Sequence, residues 1–233
     1  MTTQIQRPKT VDVDHGVEFG EITVNKYGGK SCKVKCNGSD LYVQFPRMRV
    51  PYGISIYQEE GSDKKKYSLD CSLGGYELDD EGEPRDPRMR DVYEFLVKME
   101  KKLHKTAAEN SDSWLDMEGA TPEVAKALCR DLIKYARDKV TKKITDKYPP
   151  TFKSKLSFWD NRFLCNSFTS DKIAITDDEL EGMLVPGTEV IPIVKFQSVT
   201  FAGGKCGYSL LLHQQIVYAP SRMPNYAFLP DDA

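Results

Sequence analysis

The sequence predicts a mainly β protein with a helical insertion in its middle. Short stretches of alternating polar and apolar residues occupy both ends of the chain, and segments with helical spacing separate them. The strand-helix-strand alternation of parallel sheets is absent, so a small antiparallel barrel with an inserted helical segment is the simplest closed arrangement. The 233 residues suit one domain, with the insertion at residues 86–147 and a short tail at 224–233.

The N-terminal part predicts a series of short strands joined by tight turns. Lysines alternate with Cys32, Val34 and Cys36 over residues 30–36, which is typical of a half-buried strand. Asn37-Gly38 then predicts a two-residue hairpin turn into the next strand. The predicted strands of this part are residues 19–27, 30–36, 41–45, 49–57 and 65–73.

Two helices are predicted inside the insertion. Asp86 is a suitable N-cap before Pro87, and apolar residues from Met89 to Leu103 then recur at helical spacing. Thr121-Pro122 begins the second helix by the same logic. Its predicted apolar face carries Val124, Leu128, Leu132 and Tyr135, and another face carries Lys126, Arg130, Lys134 and Arg137.

The β pattern resumes after Tyr148-Pro149-Pro150. Strands are predicted at residues 152–158, 162–168 and 172–175, and Thr176 begins a short helical segment that ends at Gly187. The last two predicted strands, residues 189–201 and 208–219, are the longest and are joined by a loop at 202–205. They should form a long hairpin at the end of the chain.

Composition and motifs argue against several classes of protein. The net charge of -2 excludes a simple, strongly basic nucleic-acid-binding tail, although a local basic surface remains possible. We expect no membrane span and no secretory leader, because no apolar run is long enough and the first residues are polar. Six cysteines without a Cys-x-x-Cys pair, and three widely spaced histidines, favour buried reduced thiols over disulfides or zinc.

No catalytic constellation stands out. The chain lacks a nucleophile elbow, a Walker loop, a dinucleotide fingerprint and a His-Glu-x-x-His motif. The acidic cluster Asp177, Asp178, Glu179 and Glu181 is typical of a helix N-terminus, and a magnesium-dependent nuclease built on it is the least favoured alternative. We therefore expect a protein that is not an enzyme, with no catalytic residues, metal or cofactor.

Cations interleaved with aromatic residues are the most informative feature. Residues 126–155 hold ten basic and three acidic residues, a local charge of +7 in a chain of net charge -2. Single-stranded nucleic acid is bound by cations along its backbone and rings under its bases. We predict a groove whose floor holds Tyr42, Phe45, Tyr52, Trp159 and Phe196, and whose walls hold Lys33, Lys35, Arg47, Arg49, Lys153, Lys155, Arg162, Lys195 and Lys205.

The residues alone also allow a less specific interpretation. Several of these rings could fill a core, and the basic stripe of the second helix could be its solvated face. A shift of one residue in strand register would turn every side chain to the other side. A structural or scaffold β domain, with the rings in a protein interface, is the second hypothesis.

The final hairpin resembles that of a known family. Residues 186–196, the Gly203-Gly204-Lys205 loop and residues 208–217 are similar to the closing hairpin of viral single-stranded DNA-binding proteins with an OB-fold. These include the replication proteins of T-odd phages and a similar group in large eukaryotic DNA viruses. The resemblance implies an OB-fold-like, antiparallel, five-stranded barrel with a helical insertion, and sequence-independent binding of single-stranded DNA in replication, recombination or repair.

The resemblance also implies roles for single residues and partners. Phe196 would be a stacking ring, and Lys195 and Lys205 would contact the DNA backbone. The phage proteins recruit replication partners through a long acidic tail, whereas this chain ends with only Asp231 and Asp232. Replication proteins at the tail and a homodimer are therefore secondary expectations. The implied location is intracellular, in the host cytoplasm or nucleus where viral DNA is replicated, without membrane association.

Overall fold

The computed structural model describes residues 4–58, 60–61 and 65–220 and confirms the mainly β class, with 41% strand and 21% helix. The strands are β1 Ile5–Gln6, β2 Val17–Val24, β3 Lys30–Cys36, β4 Ser39–Gln44, β5 Met48–Arg49, β6 Ile54–Gln58, β7 Lys65–Ser72, β8 Ile133–Lys134, β9 Thr151–Leu156, β10 Phe158–Trp159, β11 Arg162–Phe163, β12 Asn166–Phe168, β13 Glu189–Ala202 and β14 Lys205–Tyr218. The helices are α1 Pro87–Glu109, α2 Ser111–Leu115, α3 Pro122–Leu128 and α4 Asp177–Met183, with a 3-10 turn at Pro8–Thr10.

Twelve of the described strands form one large mixed sheet. Its main path runs β1-β4-β3-β13-β14-β9-β7-β6, while β2, β5, β8 and β12 pair with β3, β13, β9 and β14. Most pairs are antiparallel, but β1 with β4, β12 with β14 and β9 with β14 are parallel. The sheet of the described residues is not closed into a barrel. It is therefore larger and more open than the predicted five-stranded barrel, although it is compatible with an OB-like domain that carries a helical insertion.

The predicted hairpins are confirmed. β13 and β14 are 14 residues each and pair along almost their full length, from Glu189 opposite Tyr218 to Ala202 opposite Lys205. In the β3–β4 hairpin, Asn37 and Gly38 have φ angles of 49° and 74°, as a turn with two left-handed residues requires. Residues 172–175, in contrast, form only an isolated bridge, between Phe168 and Ala174.

The core lies between one face of the sheet and the long helix α1. The predicted cap is confirmed, because the Asp86 side chain accepts a hydrogen bond from the backbone N–H of Arg88. The ring of Phe95 on α1 packs 5.5 Å from the ring of Phe196 on β13, and the Tyr208 hydroxyl donates to the Met99 carbonyl over 2.9 Å. All six cysteines are buried free thiols, as the sequence predicted. None of the helices in the described part of the chain is both long and apolar enough to span a membrane.

The second predicted helix is shorter than its pattern suggests. α3 ends at Leu128, and Cys129 takes an extended conformation with ψ of 135°. Cys129 forms a parallel bridge with Cys206, and the Arg130 N–H donates to the Cys206 carbonyl over 2.7 Å. Pairing with β14 therefore replaces the next helical turn, so that Arg130 and Lys134 do not lie on a helix.

The predicted domain boundaries remain predictions. Helices α1, α2 and α3 all fall within residues 86–147, where the insertion was expected. The tail at 224–233 lies outside the described residues.

We expect Phe196→Ala to lower the free energy of unfolding by about 3–5 kcal/mol, since the ring is fully buried and its removal leaves a cavity. The free energy of unfolding is measured by urea denaturation, with circular dichroism as the signal that monitors unfolding. Trp159→Ala is the control, because its side chain is 74% exposed and should change stability by roughly 0.5 kcal/mol or less. Equal, small losses in both variants would contradict the core position of Phe196.

Candidate nucleic-acid interface

The face of the sheet opposite α1 carries a row of polar and aromatic side chains across five strands. Residues paired directly across neighbouring strands point to the same side of a sheet. Lys195 of β13 pairs with Tyr42 of β4 and with Leu211 of β14, Leu211 pairs with Lys155 of β9, and Lys155 pairs with Ser68 of β7. The row Tyr42, Lys195, Leu211, Lys155 and Ser68 therefore crosses the middle of the sheet.

Further lysines flank this row on the same face. Lys33 of β3 pairs with Ser198, which in turn pairs with Ser209. The Lys155 ammonium donates to the Ser209 hydroxyl over 3.1 Å, which connects the two rows. Lys35 and Lys153 each lie two residues from a member of these rows on the same strand. We call this surface the basic face; its cations are Lys33, Lys35, Lys153, Lys155 and Lys195.

Tyr42 sits at the centre of a polar cluster on the basic face. The Lys195 ammonium lies 5.2 Å from the centroid of the Tyr42 ring and forms an ion pair with Asp40. Burial of Lys195 acts to lower its pKa, but hydrogen bonds to Asp40 and Tyr42 outweigh the effect of burial. The pKa of Lys195 is therefore raised. The ring of His213 lies 4.9 Å from Tyr42, edge-on. His213 was not among the predicted site residues, and its position beside Tyr42 follows only from the strand register.

A second group of cations lies where β9 and β14 diverge. Their strand pairing is limited to Leu211 and Lys155, and Arg130 and Lys134 lie beside this junction with Lys153 and Lys155. Burial and, next, the charge of Arg130 lower the pKa of Lys155. Burial and, next, the charge of Lys153 lower the pKa of Lys134. Arg130 is thus close enough to repel Lys155, and Lys153 is close enough to repel Lys134. Sequence reasoning left Arg130 and Lys134 out of the site because it placed them on the solvated face of a helix.

Two of the predicted stacking rings cannot contact a ligand. Phe196 is 0% exposed and Phe45 is 1% exposed. Phe196 packs against Phe95 of α1, and the ring of Phe45 lies 4.9 Å from that of Phe152. The prediction that they form the floor of a groove is wrong, because strand alternation turns each of them to the core face while its neighbours point outward.

Three predicted residues lie at the far end of the long hairpin. Arg47 forms an ion pair with Glu189 at 2.6 Å, and its guanidinium lies 3.9 Å from the centroid of the Tyr218 ring. Arg49 pairs with Glu189 across β5 and β13, and Tyr52 is 62% exposed nearby. Glu189 precedes Lys195 by six residues, about 20 Å at about 3.3 Å per residue. These residues are therefore separate from the centre of the basic face.

The remaining predicted residues are exposed, but none of them is paired with a residue in the rows of the basic face. Trp159 and Arg162 face each other on the small β10–β11 hairpin, which directly follows β9. Phe158 and Phe163 of that hairpin pack on Tyr67 at 4.8 and 4.9 Å, while Trp159 is exposed. Lys205 lies at the tip of the β13–β14 hairpin, opposite Ala202.

Glu179, one residue of the acidic cluster, caps helix α4. The Glu179 carboxylate accepts hydrogen bonds from the backbone N–H and the hydroxyl of Thr176 over 3.0 and 2.8 Å, which caps the helix. Over residues 4–58, 60–61 and 65–220, no three His, Cys, Asp or Glu side chains are grouped so that they could hold a metal ion.

No protein-family model matches the chain, and no curated protein matches it. Among solved structures, the chain is similar to the single-stranded DNA-binding protein from bacteriophage Enc34. The structure of that protein in complex with single-stranded DNA has 12% sequence identity to this chain and a TM-score of 0.44, and the match covers 90% of this chain and 98% of that chain. The structure of the same protein without DNA has 9% sequence identity to this chain and a TM-score of 0.43, and the match covers 93% of this chain and 97% of that chain. These figures describe a coarse similarity, from which no function of this chain follows.

Proposed function

We propose that this chain binds single-stranded DNA without sequence preference, along the basic face, and that it is not an enzyme. The observation that carries the proposal is the row from Tyr42 through Lys195 and Leu211 to Lys155, with Lys33 and Lys153 beside it on the side nearer the hairpin loop. Cations contact the phosphates of a strand, while a ring and an aliphatic side chain contact its bases. The proposed setting is the replication, recombination or repair of viral DNA inside the host cell.

The chemistry of the basic face explains why such binding would ignore sequence. Stacking uses the flat face of a base, which all bases share, and ammonium groups contact phosphates as point charges. Because the whole chain has a net charge of -2, attraction for DNA has to come from the local concentration of lysines on this face. Recruitment of replication proteins by the C-terminal tail and formation of a homodimer are separate proposals.

We expect a fluorescent oligo-dT to bind with an affinity that falls as salt rises. Lys33→Ala should weaken binding and reduce the slope of log affinity against log salt by about 0.7, the value for one lost contact with a single-strand phosphate. Fluorescence anisotropy at several salt concentrations measures both quantities.

Lys98→Ala is the matched control for this substitution. Lys98 is an exposed lysine of α1, the helix that packs on the opposite side of the sheet. Its removal changes the total charge equally and should leave the slope unchanged. Equal effects of the two substitutions, or equal affinity for a duplex of the same length, would contradict the proposal. If light scattering shows a stable assembly of the chain whose size does not change when the oligonucleotide is added, the scaffold function is favoured instead.

We expect oligo-dT to quench the fluorescence of Trp159 if the bound strand extends to the β10–β11 hairpin, because base stacking quenches an indole ring. The other tryptophan, Trp114, is 6% exposed and should not respond. Trp159→Phe should therefore abolish the quenching while retaining an aromatic ring. Quenching that persists in Trp159→Phe would show that the signal comes from Trp114 and not from a ring at the surface.

A further inference from the structure

The segment after α3 is held firmly beside the junction of β9 and β14. The backbone N–H of Arg130 donates to the Cys206 carbonyl over 2.7 Å. The N–H groups of Leu132 and Ile133 both donate to the Glu100 carboxylate of α1, over 2.7 and 2.9 Å. Lys134 then pairs with Thr151 at the start of β9. The backbone between Arg130 and Lys134 is thus fixed to β14, α1 and β9.

The Arg130 side chain is fixed as well. One of its terminal nitrogens donates to both the carbonyl and the hydroxyl of Thr200 on β13, over 3.1 and 2.7 Å. To reach Thr200 it passes over Gly207 of β14. A Cβ at residue 207 would lie 2.8 Å from the Nε and 2.9 Å from the Cβ of Arg130, which is too close. Glycine inside a strand often marks such a close approach, and here it makes room for the arginine.

A pocket of about 250 Å³ lies at this place. Four cations line it, Arg130 and Lys134 from the segment after α3 and Lys153 and Lys155 from β9. Asp131 also lines the pocket, and Asp70 forms an ion pair with Lys153 at 3.3 Å. Two carboxylates near four cations leave a net positive charge. A bound anion would offset this charge, including the charge of Lys153 beside Lys134 and of Arg130 beside Lys155, which adds to the effect of burial in lowering the pKa of each lysine.

We propose that this pocket binds a phosphate group. The guanidinium of Arg130 offers N–H donors in a fixed orientation that suits phosphate oxygens, and the three ammonium groups add charge. The identity of the bound phosphate rests on the proposed function. Lys155 belongs both to the pocket and to the row across the basic face. The phosphate is therefore an internucleotide phosphate of the bound single strand. The pocket then fixes the backbone of the strand where β9 and β14 diverge.

Two titrations of the full chain test this proposal. In the first, inorganic phosphate is added at constant ionic strength, with chloride as the reference anion, and amide shifts are followed by ¹H–¹⁵N NMR. We expect phosphate to shift the amide signals of Arg130, Lys134 and Thr200. These shifts should be lost in Lys134→Gln. They should be weakened in Gly207→Ala, because the added methyl group displaces the Arg130 side chain. Lys139→Gln is the matched control, an exposed lysine of the same basic segment that does not line the pocket. Well-dispersed spectra confirm that each variant is folded.

In the second titration, oligo-dT binds to the same variants at several salt concentrations. Lys134→Gln should reduce the salt slope by about 0.7, as expected for one lost phosphate contact, whereas Lys139→Gln should not. If phosphate causes no shifts at the pocket, or the same shifts in Lys134→Gln, the pocket is not a phosphate site.

The two titrations also separate this proposal from the proposed function. If oligo-dT binds normally to Lys134→Gln, the inferred occupant is wrong while single-stranded DNA binding stands. If inorganic phosphate binds to the pocket but oligo-dT does not bind to the wild-type chain, the proposed function fails and the pocket is a site for free phosphate.

Discussion

The alternation of side chains between the two faces of the β13–β14 hairpin couples the core of this protein to its candidate interface. Lys195 and Phe196 are neighbours in the chain, yet one points to the basic face and the other to the core against α1. Burial of Phe196 and its inward-facing partners fixes the register of β13 against β4 and β14. The same register brings Lys195, Tyr42 and Leu211 into one row on the other side. The hydrophobic core therefore positions the cations of the candidate interface.

Charge is distributed unevenly over the molecule. Residues 77–86, before α1, hold six acidic residues and one arginine, whereas residues 126–155 hold ten basic and three acidic ones. The sheet brings cations of this second segment next to Lys195 and Lys33, which lie far from it in sequence. A chain of net charge -2 can thus concentrate five lysines on one face, where Asp40 and Asp70 form ion pairs with Lys195 and Lys153 and where Glu18 lies opposite Lys35. This arrangement favours contact with a polyanion on one face and keeps the whole chain near neutrality.

The end of α3 shows how tertiary contacts override a local pattern. Lys126, Arg130, Lys134 and Arg137 have helical spacing, but the backbone hydrogen bond from Arg130 goes to Cys206 on β14. Glu100, on α1, accepts the next two N–H groups of the segment. As a result, Arg130 and Lys134 leave the solvated face of a helix and meet Lys153 and Lys155. This group of four cations forms because the helix ends at Leu128.

The sequence alone specifies features that depend on near neighbours in the chain: the strand alternation at Cys32, Val34 and Cys36, the Asn37-Gly38 turn, the Asp86 cap and the long final hairpin. It also identified Lys33, Lys155 and Lys195 as cations of a candidate surface. The folded structure, in contrast, is needed to show which rings point outward, and it places Phe45 and Phe196 in the core and His213 beside Tyr42. It also decided where α3 ends. The physical reason is that the face of a strand and the end of a helix depend on partners distant in sequence, and a local pattern does not specify those partners.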